Sequence, residues 1–140
     1  MKILVAVDGS SYTKRMLGYL AAHDELFGGA HDYTVLTAVP AVPPRAAAVI
    51  DKATLAEYYT DEGEKVLKPV RTFFEKQGLK AKTQHKVGHP GEVIAKAAGA
   101  GKFDLVVMGS HGHGTLGNLV MGSVATYVLA HCKTPVLLVR

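Results

Sequence analysis

Three short runs along the chain are apolar at every position: Ile3 to Val7, Leu105 to Met108 and Val136 to Val139. A strand with one solvated face alternates, so unbroken apolar runs of this length predict parallel strands covered on both faces. Tyr33 to Val39 is a fourth run of this kind with threonines inside it. Leu79 to Val87 does alternate: Lys80, Lys82, Gln84 and Lys86 fall on one side, and Leu79, Ala81, Thr83, His85 and Val87 on the other. Lysines along one side of a strand discourage unwanted pairing, which predicts an edge.

Helical spacing fills the gaps. Met16, Leu17, Leu20 and Phe27 repeat along a first helix, with Ser10 as a plausible N-cap and Gly28-Gly29 as the stop. From about Thr54 to Gln77, Val66, Val70, Phe73 and Phe74 share one face of a longer helix that Gly78 ends. Pro69 removes a backbone donor and predicts a kink or a second segment there. Pro90 suits the first turn of a third helix running to about Ala98. A last helix is predicted from about Leu119 to His131, with Met121, Val124 and Val128 on its face and Thr134-Pro135 beyond it. Strand and helix alternate throughout. That pattern predicts an α/β fold: a doubly wound five-stranded parallel sheet with helices on both faces and right-handed crossovers. Pro40 to Asp51 is the longest connection and reads as irregular, functional or mobile.

Composition narrows the picture. A length of 140 residues predicts one domain spanning 1–140, large enough for a core. The net charge is +4, and the lysines and arginines are interspersed with acidic residues, which argues against a nucleic-acid footprint. Cys132 is the only cysteine, so no internal disulfide forms. It reads either as a redox-sensitive thiol or as a small buried hydrophobe, and a helix C-terminus disfavours the thiolate. Asp8 interrupts the first apolar run too early for a signal-peptide core. No run approaches a membrane span, so the expectation is a cytoplasmic protein that does not enter a membrane.

The stretch Gly109 to Ser123, GSHGHGTLGNLVMGS, holds five glycines between a strand and a helix. Glycine loses the most backbone freedom on folding, so something must offset that cost. A phosphate ligand, tight packing and a mobile loop are the three candidates. Phosphate needs several N–H groups turned to one point, close backbone approach and the positive end of a helix. The Ser123 hydroxyl can donate to phosphate or cap the helix. No lysine follows the glycines as in a Walker loop. Asp8, ending the first strand, can accept from ribose hydroxyls, reach a metal, or only shape a turn with Gly9-Ser10.

Gly109, two residues, Gly112, nine residues, then Gly122-Ser123 resembles the nucleotide-binding signature of the universal stress protein family, in its ATP-binding branch. Ile3 to Ser10 is similar to the family's first strand and turn, Gly88-His89-Pro90 with Ile94 to a second short motif, and Gly122 to Ala125 leading to Thr134-Pro135-Val136 to its C-terminal end. The resemblance spans essentially the whole chain. It implies strand order 3-2-1-4-5, with the first and fourth strands adjacent where the winding reverses. It also implies an adenine-nucleotide site for ATP, with Mg2+ as a candidate companion ion. Asp8, Gly9, Gly109 and Gly112 would belong to it, as would Gly122, Ser123 and Val124 in the last motif. Val39 aligns with the position whose backbone reads adenine, and Met108 would pack on the base or simply in the core. Gly114 and Gly117 lie outside the signature. Many relatives carry arginine where His113 stands, so His113 would face the phosphates as a group that titrates near neutrality.

His111, His113, His85 and His89 also suggest a metal, but no cysteine or acidic pair at suitable spacing completes a ligand set, and none is assigned. No general base, activated nucleophile or loop cation is evident, so no catalytic residue is assigned either. The resemblance implies a nucleotide-dependent stress-response or regulatory homodimer acting through a downstream protein. A slow ATPase and a dimeric scaffold that binds no nucleotide remain the alternatives. The dimer would form across Val136 to Val139, an apolar strand that the implied order leaves at an edge.

Overall fold

The computed structural model describes residues 1–114 and 119–140. The elements are β1 (Lys2–Ala6), α1 (Ser11–Ala22), β2 (Asp32–Val39), α2 (Pro44–Ala47), α3 (Lys52–Lys76), β3 (Ala81–Val87), α4 (Pro90–Ala100), β4 (Leu105–Gly109), α5 (Ser123–His131) and β5 (Val136–Val139). The strands form one sheet in the order β3-β2-β1-β4-β5. Every pairing is parallel, with Val5 of β1 opposite Val35 of β2 on one side and Val107 of β4 on the other. The winding therefore reverses between β1 and β4.

The unbroken apolar runs are explained by two cores. Along β1, Ile3, Val5 and Val7 enter one cluster with Met16, Leu17 and Leu20 of α1 and Leu67, Val70 and Phe74 of α3. Leu4 and Ala6, pointing the other way, enter a second cluster with Ile94, Ala97 and Ala98 of α4 and Ala125 and Val128 of α5. Alternate side chains feed opposite faces, so a strand at the centre of the sheet has no position left for water. On β3, at the edge, Lys82 and Lys86 are exposed, as lysine alternation predicts.

Three predicted boundaries are corrected, and at Pro69 one of two alternatives is removed. α1 stops at Ala22, and Phe27 reaches the core from the turn after it, where Leu26 and Phe27 N–H groups both bond the His23 carbonyl. α3 is one helix through Pro69, not two segments; Pro69 is exposed, so the donor it lacks falls on the water-facing side. Within Pro40 to Asp51, residues Pro44–Ala47 form a helical turn, and the Val42 N–H donates to the Tyr59 hydroxyl at 2.9 Å. α5 begins at Ser123, not near Leu119: Leu119 and Val120 are exposed outside it, and the Gly122 N–H turns back to the Ser110 carbonyl at 2.8 Å. Apolar spacing carried the prediction past a real cap. Cys132 follows α5, half-buried against the second core with its Sγ near the Thr134 carbonyl, as a small hydrophobe would be.

The two largest fully buried side chains among the described residues, Tyr33 and Phe74, meet where α3 crosses β2. The Phe74 ring is buried 5.4 Å from the Tyr33 ring, and the Tyr33 hydroxyl donates to the Gly28 carbonyl at 2.8 Å. Phe74→Ala is expected to cost about 3–5 kcal/mol, the usual range for a buried phenylalanine. Urea denaturation checks this; a loss under about 1 kcal/mol would mean that the site collapses around the cavity.

Candidate functional site

Asp8 stands at the switch point, just beyond the end of β1. Its Oδ1 accepts from the Ser10 N–H at 2.9 Å and from the Thr13 hydroxyl at 3.0 Å, while the Asp8 N–H donates to Thr13 Oγ1 at 3.1 Å. Asp8 therefore does shape the turn into α1. Gly9 takes the left-handed φ of +77° that this turn demands. Ser10 occupies the N-cap position, but its hydroxyl makes no capping bond and is buried without a partner among the described residues.

With Oδ1 held by two donors, Oδ2 is aimed at Gly112. A Cβ on Gly112 would lie 2.6 Å from it. The other two signature glycines are also crowded, Gly109 more than Gly122. A Cβ on Gly109 would meet the Cβ of Tyr12 at 2.8 Å, and one on Gly122 would meet the His111 Cα at 3.1 Å and the Ser110 carbonyl oxygen at 3.2 Å. Tight packing thus explains all three positions before any ligand is considered. Left-handed backbone is found at Gly114, φ +68°, and not at Gly112; Gly117 lies outside the described residues.

Two histidines tie the loop down. The His113 Nε2–H donates to the Asp8 carbonyl at 2.7 Å. The His111 Nε2–H donates to the Leu119 carbonyl at 2.8 Å, which leaves its Nδ1 to accept from the Ser110 hydroxyl at 2.8 Å. The Tyr12 ring leans on His111 with centroids 4.9 Å apart, and the Arg15 guanidinium lies over Tyr12 at 4.7 Å. Both histidines serve the loop itself, and no group of three or more metal-ligating side chains occurs among the described residues.

Between these walls lies a cavity of about 530 Å³, within the usual range for small-molecule sites. Of the residues expected to form a site, Asp8, Val39, Met108, Gly109, Gly112, His113, Gly122, Ser123 and Val124 line it, and Gly9 does not. Thr13 and Thr37 line it too, as do Ile94 of α4 and Tyr58, Glu62 and Val66 of α3. Sequence reasoning missed these. A signal existed for the last three: Tyr58, Glu62, Val66, Val70 and Phe74 recur every four residues and so form one stripe. Val66, recognised as part of that face, is where the stripe leaves the core and reaches the cavity.

α5 brings its first turn to the cavity through Gly122, the extended N-cap with ψ 164°, and Ser123, whose side chain is exposed. No acidic residue occupies that first turn, so the positive end of the helix is not offset by its own carboxylates.

A doubly wound parallel sheet with a ligand-sized cavity at its switch point defines the class. The chain belongs to the universal stress protein family, whose model matches residues 1–140. Universal stress protein Slr1230 of Synechocystis is 32% identical over 139 residues, covering 99% of this chain and 42% of that protein. The chain thus spans about half the length, or less, of the first curated relatives that it matches. Among solved structures, protein MJ0577, of Methanocaldococcus jannaschii, superposes with a TM-score of 0.80 at 28% identity, covering 99% of this chain and 94% of that one. The universal stress protein of Archaeoglobus fulgidus in complex with dAMP shares the fold, with a TM-score of 0.62, 21% identity and coverage of 100% and 98%.

The Gly112–Asp8 contact yields a direct prediction. Gly112→Ala should lower unfolding stability by about 1–3 kcal/mol, the range for overpacking. In an Asp8→Ala background the penalty should shrink by more than half. A urea double-mutant cycle reads the coupling; strictly additive losses would show that Oδ2 is not what excludes a side chain at Gly112.

Proposed function

We propose that the cavity binds an adenine nucleotide, ATP, and that the protein is a nucleotide-dependent stress-response homodimer acting through a downstream protein. The observation that carries this reading is the convergence, on one cavity, of Asp8, the glycine loop and an α5 N-terminus free of acidic residues. Such a helix end favours an anion. Gly109, Gly112, Gly122 and Ser123 would hold the phosphates. Val39, Met108 and Ile94 offer an apolar wall for the base, with Val124 alongside. Asp8 would serve the ribose or an Mg2+ ion accompanying ATP. The Archaeoglobus fulgidus protein carries dAMP on this fold, which supports the ligand class.

His113 takes a different part from the one its alignment with arginine implies. Its Nε2–H is engaged by the Asp8 carbonyl, so it acts on the nucleotide by holding the loop against β1. The cavity is lined by no lysine or arginine among its described residues. Phosphoryl transfer draws on positioned cations, and this lining favours retention of nucleotide over turnover, hence regulation over the slow-ATPase alternative.

Calorimetric titration of ATP with Mg2+ into nucleotide-free protein is the test. Saturable binding is expected in the wild type. Ser123→Ala should weaken it about tenfold or more, as for a lost hydrogen bond to a charged group, and Gly122→Val should abolish it. No binding to folded, nucleotide-free wild type would contradict the reading and favour the scaffold.

The dimer reading rests on β5. Val136, Leu137 and Leu138 are only half-buried on an outer strand that pairs with β4 alone in the sheet. Pairing the β5 strands of two copies would cover this apolar edge. Leu138→Lys is expected to sediment as a monomer at concentrations where the wild type is dimeric. A folded variant that stays dimeric would move the interface elsewhere.

A further inference from the structure

The α3 stripe contains one anomaly. Val66, Val70 and Phe74 pack into the first core, and Tyr58 stands at the cavity's lip, about half exposed. Between them, on the same face, is a carboxylate, Glu62. Its side chain is 32% exposed, and its Oε1 accepts from Lys65 Nζ at 3.2 Å. That pair is too solvated to explain an acidic residue on an inward stripe, since exposed i,i+3 pairs contribute little.

The backbone holds Glu62 close against the cavity. Gly63 follows it in the middle of a helix, where glycine costs up to about 1 kcal/mol. A Cβ there would lie 2.7 Å from the Cβ of His85. Helix α3 therefore rests directly on β3, whose His85 is in register with Thr37, another residue of the cavity wall. One turn further on, Val66 Cγ2 lies 3.4 Å from where a Cβ on Gly9 would be, beside Asp8. The residue after Glu62 and the turn that follows it are thus both packed against the sheet, which fixes the backbone that carries Glu62 to the cavity.

The charges lining the cavity divide by element. The carboxylates are Asp8 after β1 and Glu62 on α3, while the imidazoles His111 and His113 and the α5 N-terminus belong to the glycine-loop side. A carboxylate only accepts hydrogen bonds. An anionic group is therefore disfavoured beside Glu62, and a donor is favoured. We infer that Glu62 is a specificity-determining residue: it accepts a hydrogen bond from the nucleoside part of the ligand, a sugar hydroxyl or the exocyclic amine of the base, and so sets the phosphates toward Gly109 to Ser123. This rests on the nucleotide reading above.

The test is a binding cycle. ATP, 2′-deoxy-ATP, 3′-deoxy-ATP and ITP, which lacks the exocyclic amine, are titrated into the wild type, Glu62→Ala and the volume-conserving Glu62→Gln. Glu57→Ala, an exposed position on α3 outside the cavity lining, controls for loss of charge from the helix. Glu62→Ala should weaken ATP about tenfold. One analogue should bind the wild type and Glu62→Ala alike, and that analogue identifies the donor. Glu62→Gln, which keeps an acceptor but no charge, should fall between. Equal weakening of all four ligands, or none, would overturn the inference while leaving nucleotide binding intact. Absence of ATP binding to the wild type would instead overturn the parent reading, and this inference with it.

Discussion

The structure depends on how Asp8 is used. One carboxylate oxygen closes the turn into α1 through Ser10 and Thr13, the other abuts Gly112, and its backbone carbonyl receives His113. A single residue at the end of β1 therefore fixes the start of one helix and the position of a loop more than a hundred residues away. Because β1 and β4 are adjacent where the winding reverses, the gap between them opens at their carboxyl ends, where such sheets take their ligands. Asp8 reaches across that gap to Gly112 and His113.

The glycines follow from the same constraint. Gly109 is needed because Tyr12 of α1 presses on the end of β4, and Gly122 because the loop returns onto Ser110 and His111. The signature often read as a phosphate motif is, in this chain, first a packing motif that brings three backbone segments together. A phosphate site and a packed junction are not rivals here. Close backbone approach is what turns amides and a helix end toward one small volume.

The fold was legible wherever burial alone decides structure. Runs such as Ile3 to Val7 have no polar position because both sheet faces are covered, and short strands outside a covered sheet seldom dispense with polar positions altogether. Strand order was not legible from periodicity, because period-two patterns do not say which strand is the neighbour; it came from family resemblance, and the sheet has that order. Boundaries failed where local chemistry overrides periodicity. Met121, Val120 and Leu119 continue an apolar run, yet the bond from Gly122 to Ser110 ends the loop and starts α5 two residues after Met121. The β1 and β4 side of the cavity was legible from its glycines and Asp8. The α3 side was not, because Tyr58 and Glu62 look like ordinary surface residues until the four-residue stripe is followed outward from Phe74.

The cavity draws its carboxylates, Asp8 and Glu62, from the end of β1 and from α3, and its imidazoles and a helix N-terminus from the glycine loop and α5. The nucleotide reading requires ATP to occupy this switch-point cavity. Amide-resolved NMR during an ATP titration tests that most directly. Saturable shifts are expected to concentrate at Asp8, Val39, Gly109, Gly112, Gly122 and Ser123. Shifts confined to other surfaces, or none in nucleotide-free protein, would contradict it.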